Sequence, residues 1–268
     1  MPIVVTRPQA QAAKLAQQVA ACGREAVIFP LLEIHALSDE ADGATLTLLR
    51  STIAQLDCYA MVVFVSPNAI HAAFQYIAVW PSTIAIGIVG EGSRIALAEY
   101  GVTIENAIIY SPLDMTKSDS EGLLQTLDLE NLRGQRVLIV RGEGGRPLLF
   151  DSLHAAGADV SAVVAYHRVR PKMTEALKKQ LRHLLDTENV WVVTSSEALR
   201  NLIEMVKQLE NTVDHHDGVA NDVVKIQRKK IMVSHVRIAE TAHQCGFSDV
   251  TLTGSGDERL LDALQLSV

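Results

Sequence analysis

Three glycines and two arginines fall within six residues at Arg141-Gly142-Glu143-Gly144-Gly145-Arg146, directly after the apolar run 137–140. A plain turn needs fewer of both. Glycines let a backbone approach a ligand closely, and arginines supply a fixed planar charge for carboxylate or phosphate. Similar residue types follow the other strand-like runs: Thr6-Arg7, Ser66-Pro67-Asn68, Gly90-Glu91-Gly92-Ser93-Arg94, Thr194-Ser195-Ser196 and Ser234-His235. Ligands of open α/β sheets bind beyond the C-terminal strand ends. Helix N-termini at those ends offer unpaired N–H groups. The candidate anion-binding set is therefore Arg7, Ser66, Asn68, Gly90, Arg94, Arg141, Gly144, Gly145, Arg146, Thr194, Ser195 and Ser196. Each also has a structural explanation: Ser66, Ser195 and Ser196 as helix N-caps, Gly90 and Gly92 as turn formers. Arg24, Arg133 and Arg182 lie away from strand ends and are expected on solvated surface.

Several chemistries lack their residues. Gly142, Gly144 and Gly145 imitate a dinucleotide fingerprint, but Pro147 stands where its last glycine belongs. No phosphate-binding G-x-x-x-x-G-K-[ST] loop and no G-x-S-x-G nucleophile elbow is present. The acidic strand ends of a response regulator are replaced by Thr6-Arg7 or Arg141, and by Ser66 or Thr194. His215 and His216 have no partner at metal-ligand spacing and read as part of a polar loop.

The elements that must hold these residues repeat. A β-branched run at 3–5 leads to a helical pattern through Leu15 and Val19, a stop at Gly23 and a strand at 26–29. The run 137–140 leads in the same way through Leu149 and Leu153 to Gly157 and a strand at 160–164. Segment 62–70 matches 190–199, and 84–98 matches 231–239, with both later helices stopping at a glycine, Gly101 and Gly246. A short last strand follows each. Two sets of five strand–helix units predict parallel sheets covered by helices on both faces, in a flavodoxin-like layout. Periodicity alone leaves two domain assignments open: a split near the middle, or an insertion joining the first strand pair to the C-terminal strands. The extended connectors 30–35 and 165–171 suit a two-stranded hinge, which the second assignment requires. Segments 111–120 and 211–230 are polar and are expected as surface loops.

The chain has 268 residues, 48% hydrophobic, with a net charge of −7 and only 4% aromatics. A broad basic face for nucleic acid is excluded, so an anionic ligand must meet locally gathered cations. Cys22, Cys58 and Cys245 form neither a zinc motif nor a disulfide framework. With no signal-peptide pattern and no apolar stretch of spanning length, the expectation is a cytoplasmic protein without a membrane partner.

Particular segments resemble the uroporphyrinogen-III synthase family. They are Val4-Val5-Thr6-Arg7-Pro8, Phe29-Pro30-Leu31-Leu32-Glu33-Ile34 and Ser120-Glu121-Gly122-Leu123-Leu124. The most specific stretch runs from Gly134 to Arg146, followed by Gly157-Ala158-Asp159-Val160 and Ala165-Tyr166-His167-Arg168. The matches keep their order along essentially the whole chain. The resemblance implies two flavodoxin-like parallel-sheet domains joined by a two-stranded β-ladder hinge. The first is residues 1–34 plus 172–268, and the second, 36–168, is inserted into it.

The same resemblance implies the activity. The linear tetrapyrrole hydroxymethylbilane would lose water, invert its last ring through a spiro intermediate and close to uroporphyrinogen III, with no metal or organic cofactor. Its eight carboxylates suit the arginines above. Tyr166 would be the catalytic acid for the departing hydroxyl, or else a packed hinge residue. Closure of a hinged cleft would fold the substrate and exclude water. The implied partners are the substrate and, transiently, the upstream synthase, with the protein a monomer. One departure is Ser234-His235-Val236-Arg237, where many relatives carry a Gly-Thr-rich turn. Two non-catalytic readings stand beside this one: a two-lobed binding protein for an anionic metabolite, and a degenerate scaffold.

Overall fold

The structure, a computed structural model, describes residues 1–113, 119–210 and 222–265. It divides into two compact units, Met1–Glu33 with Val169–Val268, and Ile34–Arg168. The strands, in chain order, are β1 (Ile3–Val5), β2 (Ala26–Ile28), β3 (Glu33–Ala36), β4 (Met61–Phe64), β5 (Ala85–Ile88) and β6 (Ile109–Tyr110). They continue as β7 (Arg136–Gly142), β8 (Asp159–Val169), β9 (Val190–Val193), β10 (Lys230–Val233) and β11 (Val250–Leu252).

The first unit holds a five-stranded sheet in the order β2-β1-β9-β10-β11, with every neighbouring pair parallel. Numbered within that unit the order is 2-1-3-4-5, the flavodoxin-like arrangement. The second unit holds a six-stranded sheet, β3-β8-β7-β4-β5-β6. Its five strands from β8 to β6 also pair in parallel. The repeat in the sequence explains the difference in chain order. β7 and β8 correspond to β1 and β2, β4 to β9, β5 to β10 and β6 to β11. The spatial layout is the same, and the chain passes through it in circularly permuted order. The sixth strand, β3, comes from the connector 30–35, which reads as suited to a two-stranded pairing with 165–171; it borders β8 at the sheet edge.

The central strands are buried on both faces, which is why they read as apolar runs rather than alternating ones. In β9, Trp191 and Val193 join one core with the helices Glu175–Asp186, Ser196–Glu210 and Val236–Gln244. Val190 and Val192 face the other core, with the helices Gln9–Ala21 and Asp257–Gln265. Trp191 is fully buried and meets Phe29 edge-on, ring centroids 5.7 Å apart. Truncating such a residue to Ala costs about 3–5 kcal/mol. β4 divides likewise. Val62 and Phe64 pack under the helices Asp39–Ile53, Pro67–Ala73 and Glu91–Glu99, while Met61 and Val63 pack under Ser120–Leu124 and Leu148–Ala155.

Two details differ from the sequence reading. The polar segment 211–230 contains a helix, Asp222–Gln227, whose Ile226 is buried, and its last residue starts β10; 211–221, with His215 and His216, lie outside the described residues. Arg24 is not simply solvated: its guanidinium donates to the carbonyls of Leu264 (3.0 Å) and Met1 (3.4 Å). Of segment 111–120, residues 114–118 lie outside the described ones.

Candidate functional site

The second unit carries a cavity of ~190 Å3 at the C-terminal ends of β4, β7 and β8. Six of the sequence-selected residues line it: Ser66, Arg141, Gly144, Gly145, Arg146 and Tyr166. Arg168, Ser120, Gly142 and the apolar Val65, Ile139, Leu149 and Phe150 complete its wall.

Tyr166 is placed by β8 and by an extra residue in that strand, Ala165. β7 and β8 run in register from Arg136↔Asp159 to Arg141↔Val164; the register then slips, so that Gly142 lies opposite Tyr166. Bulges of this kind re-aim side chains near functional sites. The Tyr166 ring lies over Gly142 so closely that an added Cβ would stand 2.6 Å from Cζ and 2.7 Å from Cε2. Only glycine leaves that space. The ring is 4% exposed, and its hydroxyl meets Ser66 Oγ at 3.0 Å. Ser66 caps the helix Pro67–Ala73: its Oγ accepts the Ala69 N–H at 3.1 Å. The cap therefore does two things: it ends β4 in a helix and it fixes the phenol oxygen.

The loop 142–146 is braced by two arginines. Arg141 Nη2 donates to the Gly144 carbonyl and its Nε to Gly142 O at 3.4 Å, while Arg168 Nη2 donates to Glu143 O at 3.1 Å. Gly144 and Gly145 have positive φ, 70° and 97°, which the tight return of the chain requires. Arg146 makes a bidentate pair with Glu121, 2.6 and 2.9 Å, and this carboxylate pushes the guanidinium pKa further up. The cavity thus has three arginines at its rim and apolar side chains at its base, a setting for an anionic ligand with a hydrophobic body.

The remaining sequence-selected residues lie elsewhere. Gly90 and Arg94 begin the helix Glu91–Glu99 of the same unit, where Arg94 bonds Glu91 (3.1 Å) and Ser111 (3.0 Å). Asn68 is on the first turn of Pro67–Ala73. None of the three lines the cavity. Arg7, Thr194, Ser195 and Ser196 belong to the first unit. There Arg7 pairs with Asp257 at 2.7 Å, Ser195 Oγ accepts the Ala198 N–H at 3.4 Å, and Thr241 donates to Ser196 Oγ or accepts from it at 3.0 Å. Thr6, next to Arg7, is buried and gives its hydroxyl to Val192 O at 2.7 Å, a structural bond. At the doubtful turn 234–237, His235 Nδ1 caps its helix by accepting the Arg237 N–H at 3.2 Å.

Three features escaped the sequence reading. Arg168 was legible, because alternation along β8 puts it on the side of Tyr166. The turn Thr253-Gly254-Ser255-Gly256, which leads into Asp257, carries a glycine signal at a strand end. The third is His167, held between Asp42 Oδ1 and Glu143 Oε2 at 2.7 Å each; nothing local announces Asp42 as its partner. Among the described residues no group of His, Cys, Asp and Glu could hold a metal ion, and no helix is long and apolar enough to cross a membrane.

Fold and site together define a two-unit parallel α/β protein with an arginine-rimmed, tyrosine-bearing cavity at the strand ends of one sheet. The family described as uroporphyrinogen-III synthase HemD matches residues 13–254. The chain is 32% identical to the uroporphyrinogen-III synthase of Salmonella typhimurium and 30% to that of Escherichia coli, covering 99% of this chain and 100% of each relative. Among solved structures, a mutant uroporphyrinogen III synthase from Thermus thermophilus aligns with a TM-score of 0.59 at 13% identity, over 99% of this chain and 98% of that one. The enzyme from Helicobacter pylori aligns with 0.56 at 14%, over 99% of both. These two support the fold. The chain belongs to the uroporphyrinogen-III synthase family, cyclising lyases of haem biosynthesis.

Proposed function

We propose that this chain is a working uroporphyrinogen-III synthase, closing hydroxymethylbilane with inversion of the last ring, and that the Tyr166 cavity is where water leaves. The observation that carries this reading is the Tyr166–Ser66 contact of 3.0 Å inside the arginine-rimmed wall. Ser66 Oγ already accepts the Ala69 N–H. Its own proton can then go to the Tyr166 oxygen, which leaves the phenol O–H directed elsewhere as a donor. Such a donor suits the departing hydroxyl of the substrate, whose loss needs a proton. Arg141, Arg146 and Arg168 are the nearest cations for substrate carboxylates, with Gly144 and Gly145 keeping that rim open. Ser195, Ser196, Thr194, Arg7, Asn68, Gly90 and Arg94 are proposed as further contacts at strand ends.

The linear substrate closes unaided to the uninverted isomer. The enzyme must therefore hasten water loss and hold the chain so that the last ring reacts at its substituted carbon. Rigid contacts from several strand ends serve the second task. The reading includes a cytoplasmic location and a monomeric state. The location is supported by Cys22, Cys58 and Cys245, all free thiols, as in a reducing compartment. Complementation tests the activity: a bacterial strain lacking its own uroporphyrinogen-III synthase should grow without added haem when it expresses this chain. Continued haem dependence, with the folded protein present, would leave the binding-protein alternative.

A further inference from the structure

His167 lies outside the proposed chemistry, yet it touches the loop that builds the cavity. Both ring nitrogens face carboxylates: Nε2 meets Asp42 and Nδ1 meets Glu143, each at 2.7 Å. An ionised carboxylate only accepts hydrogen bonds, and a neutral imidazole has a single N–H. Both contacts can be hydrogen bonds together only when the ring is an imidazolium. Asp42 is set for its part by the backbone. It departs from helical geometry within Asp39–Ile53 (φ −126°, ψ 22°), and its Oδ2 accepts the Ser38 N–H at 3.0 Å. Glu143 is gripped by three successive residues of β8. Its N–H donates to Tyr166 O (3.0 Å), its side chain meets His167, and its carbonyl accepts from Arg168 (3.1 Å).

We propose that Asp42, His167 and Glu143 form a positioning clamp that holds the glycine loop 142–146 against Tyr166 while His167 is protonated and releases it when His167 is neutral. The two bonds differ in how easily they yield. The Asp42 side chain is 16% exposed and that of Glu143 67%. A neutral ring therefore keeps its one N–H for Asp42, and Glu143 swings into solvent. The loop then loses one of its three ties to β8, next to the glycine on which the Tyr166 ring rests.

The electrostatics set the direction of the switch. The charged groups around His167 are Asp42 from the helix Asp39–Ile53, Glu143 from the loop and Arg168 on its own strand; β3, the neighbouring strand, carries Glu33 and His35. Asp42 first and Glu143 second push the His167 pKa above its ordinary 6.5. Ser38 N–H first and His167 second hold Asp42 below the usual carboxylate value. A raised histidine pKa means that the clamp is complete below the ordinary value and is lost as pH rises through the raised one. The release falls on the alkaline side.

His167 is a positioning residue, so its test begins with the loop. In the isotope-labelled full chain, NMR would follow the His167 ring nitrogens, assigned through His167→Gln, and the amides of Gly142, Gly144 and Gly145 from about pH 6 to about pH 9. The glycine amides should shift with the midpoint of His167. Glu143→Gln should hold them near their low-pH positions, because an amide can accept from the imidazolium and donate to the neutral ring. Asp42→Asn should lower the midpoint. Glycine amides that ignore His167, or that titrate alike in Glu143→Gln, would overturn the clamp. Its effect on turnover rests on the activity proposed above. There KM should rise about threefold across the same midpoint, the scale of one exposed charged contact, and stay flat in Glu143→Gln. A KM indifferent to that midpoint would refute the link to binding. Absence of turnover at every pH would refute the proposed function instead, and the NMR titration would still decide the clamp.

Discussion

Replacing Gly142 with Ala would put a methyl carbon 2.6 Å from Tyr166 Cζ, 2.7 Å from Cε2 and 3.0 Å from the hydroxyl oxygen. Carbon atoms settle at about 3.5 Å or more, so the ring must retreat by roughly 1 Å. Tyr166 is buried between β7 and the core that includes Val163 and Ala165, which leaves the ring little room to move. Overpacking of this kind costs about 1–3 kcal/mol. Retreat also breaks the 3.0 Å contact with Ser66. A misplacement of about 1 Å at a reacting group can cost about 100-fold in rate. Gly142→Ala should therefore lower the unfolding midpoint by a few degrees and turnover by about two orders of magnitude. Thermal denaturation and a turnover assay that separates the uroporphyrin isomers read the two effects. A control keeps the cause visible: in a Tyr166→Ala background the ring is gone, and adding Gly142→Ala should cost little further stability. The two changes should couple by about 1 kcal/mol or more. Near-normal turnover in Gly142→Ala, or full additivity with Tyr166→Ala, would refute the argument that the missing Cβ positions this ring.

Tyr166→Phe keeps the ring and removes the donor; turnover should fall about 100-fold with the unfolding curve little changed, and near-normal turnover would remove Tyr166 from the acid role. Ser66→Ala loses both the helix cap and the phenol's partner, so denaturation should show a loss of about 1 kcal/mol together with a lower kcat. Glu121→Gln breaks the partly exposed pair with Arg146, which should change stability by less than about 1 kcal/mol. If Arg146 receives a substrate carboxylate, the same change lowers KM while Arg146→Ala raises it; equal KM values in all three proteins would exclude that role.

Much of this architecture is written locally. The runs 62–65 and 190–193 are apolar at every position because parallel strands are covered on both faces, and that made the duplication visible. Gly101 and Gly246 mark equivalent helix ends in the two units, with φ of 73° and 87°. The glycine–arginine cluster 141–146 was legible as an unusual composition, and five of the residues selected from strand ends meet in one cavity with Tyr166, which the family resemblance supplied. What stayed hidden depends on distant partners. The slip in register at Gly142 comes from one extra residue in β8, Ala165, which reads in the sequence as an ordinary apolar strand position. Asp42 and His167 are 125 positions apart, and the helical pattern of 39–53 gives no reason for Asp42 to leave it. Arg146 reads as an available cation because Glu121, its partner, lies 25 residues away on the helix Ser120–Leu124.

Inversion and closure of a linear tetrapyrrole through the Tyr166 cavity is the activity proposed for this chain. The most direct measurement generates hydroxymethylbilane in situ with its upstream synthase, adds this protein or its Tyr166→Phe variant, oxidises the products and separates the uroporphyrin isomers. Isomer III is expected with the unaltered chain and mostly isomer I with the variant. Isomer I alone from the folded, unaltered chain would contradict the activity, and isomer III in equal yield from both would contradict the site.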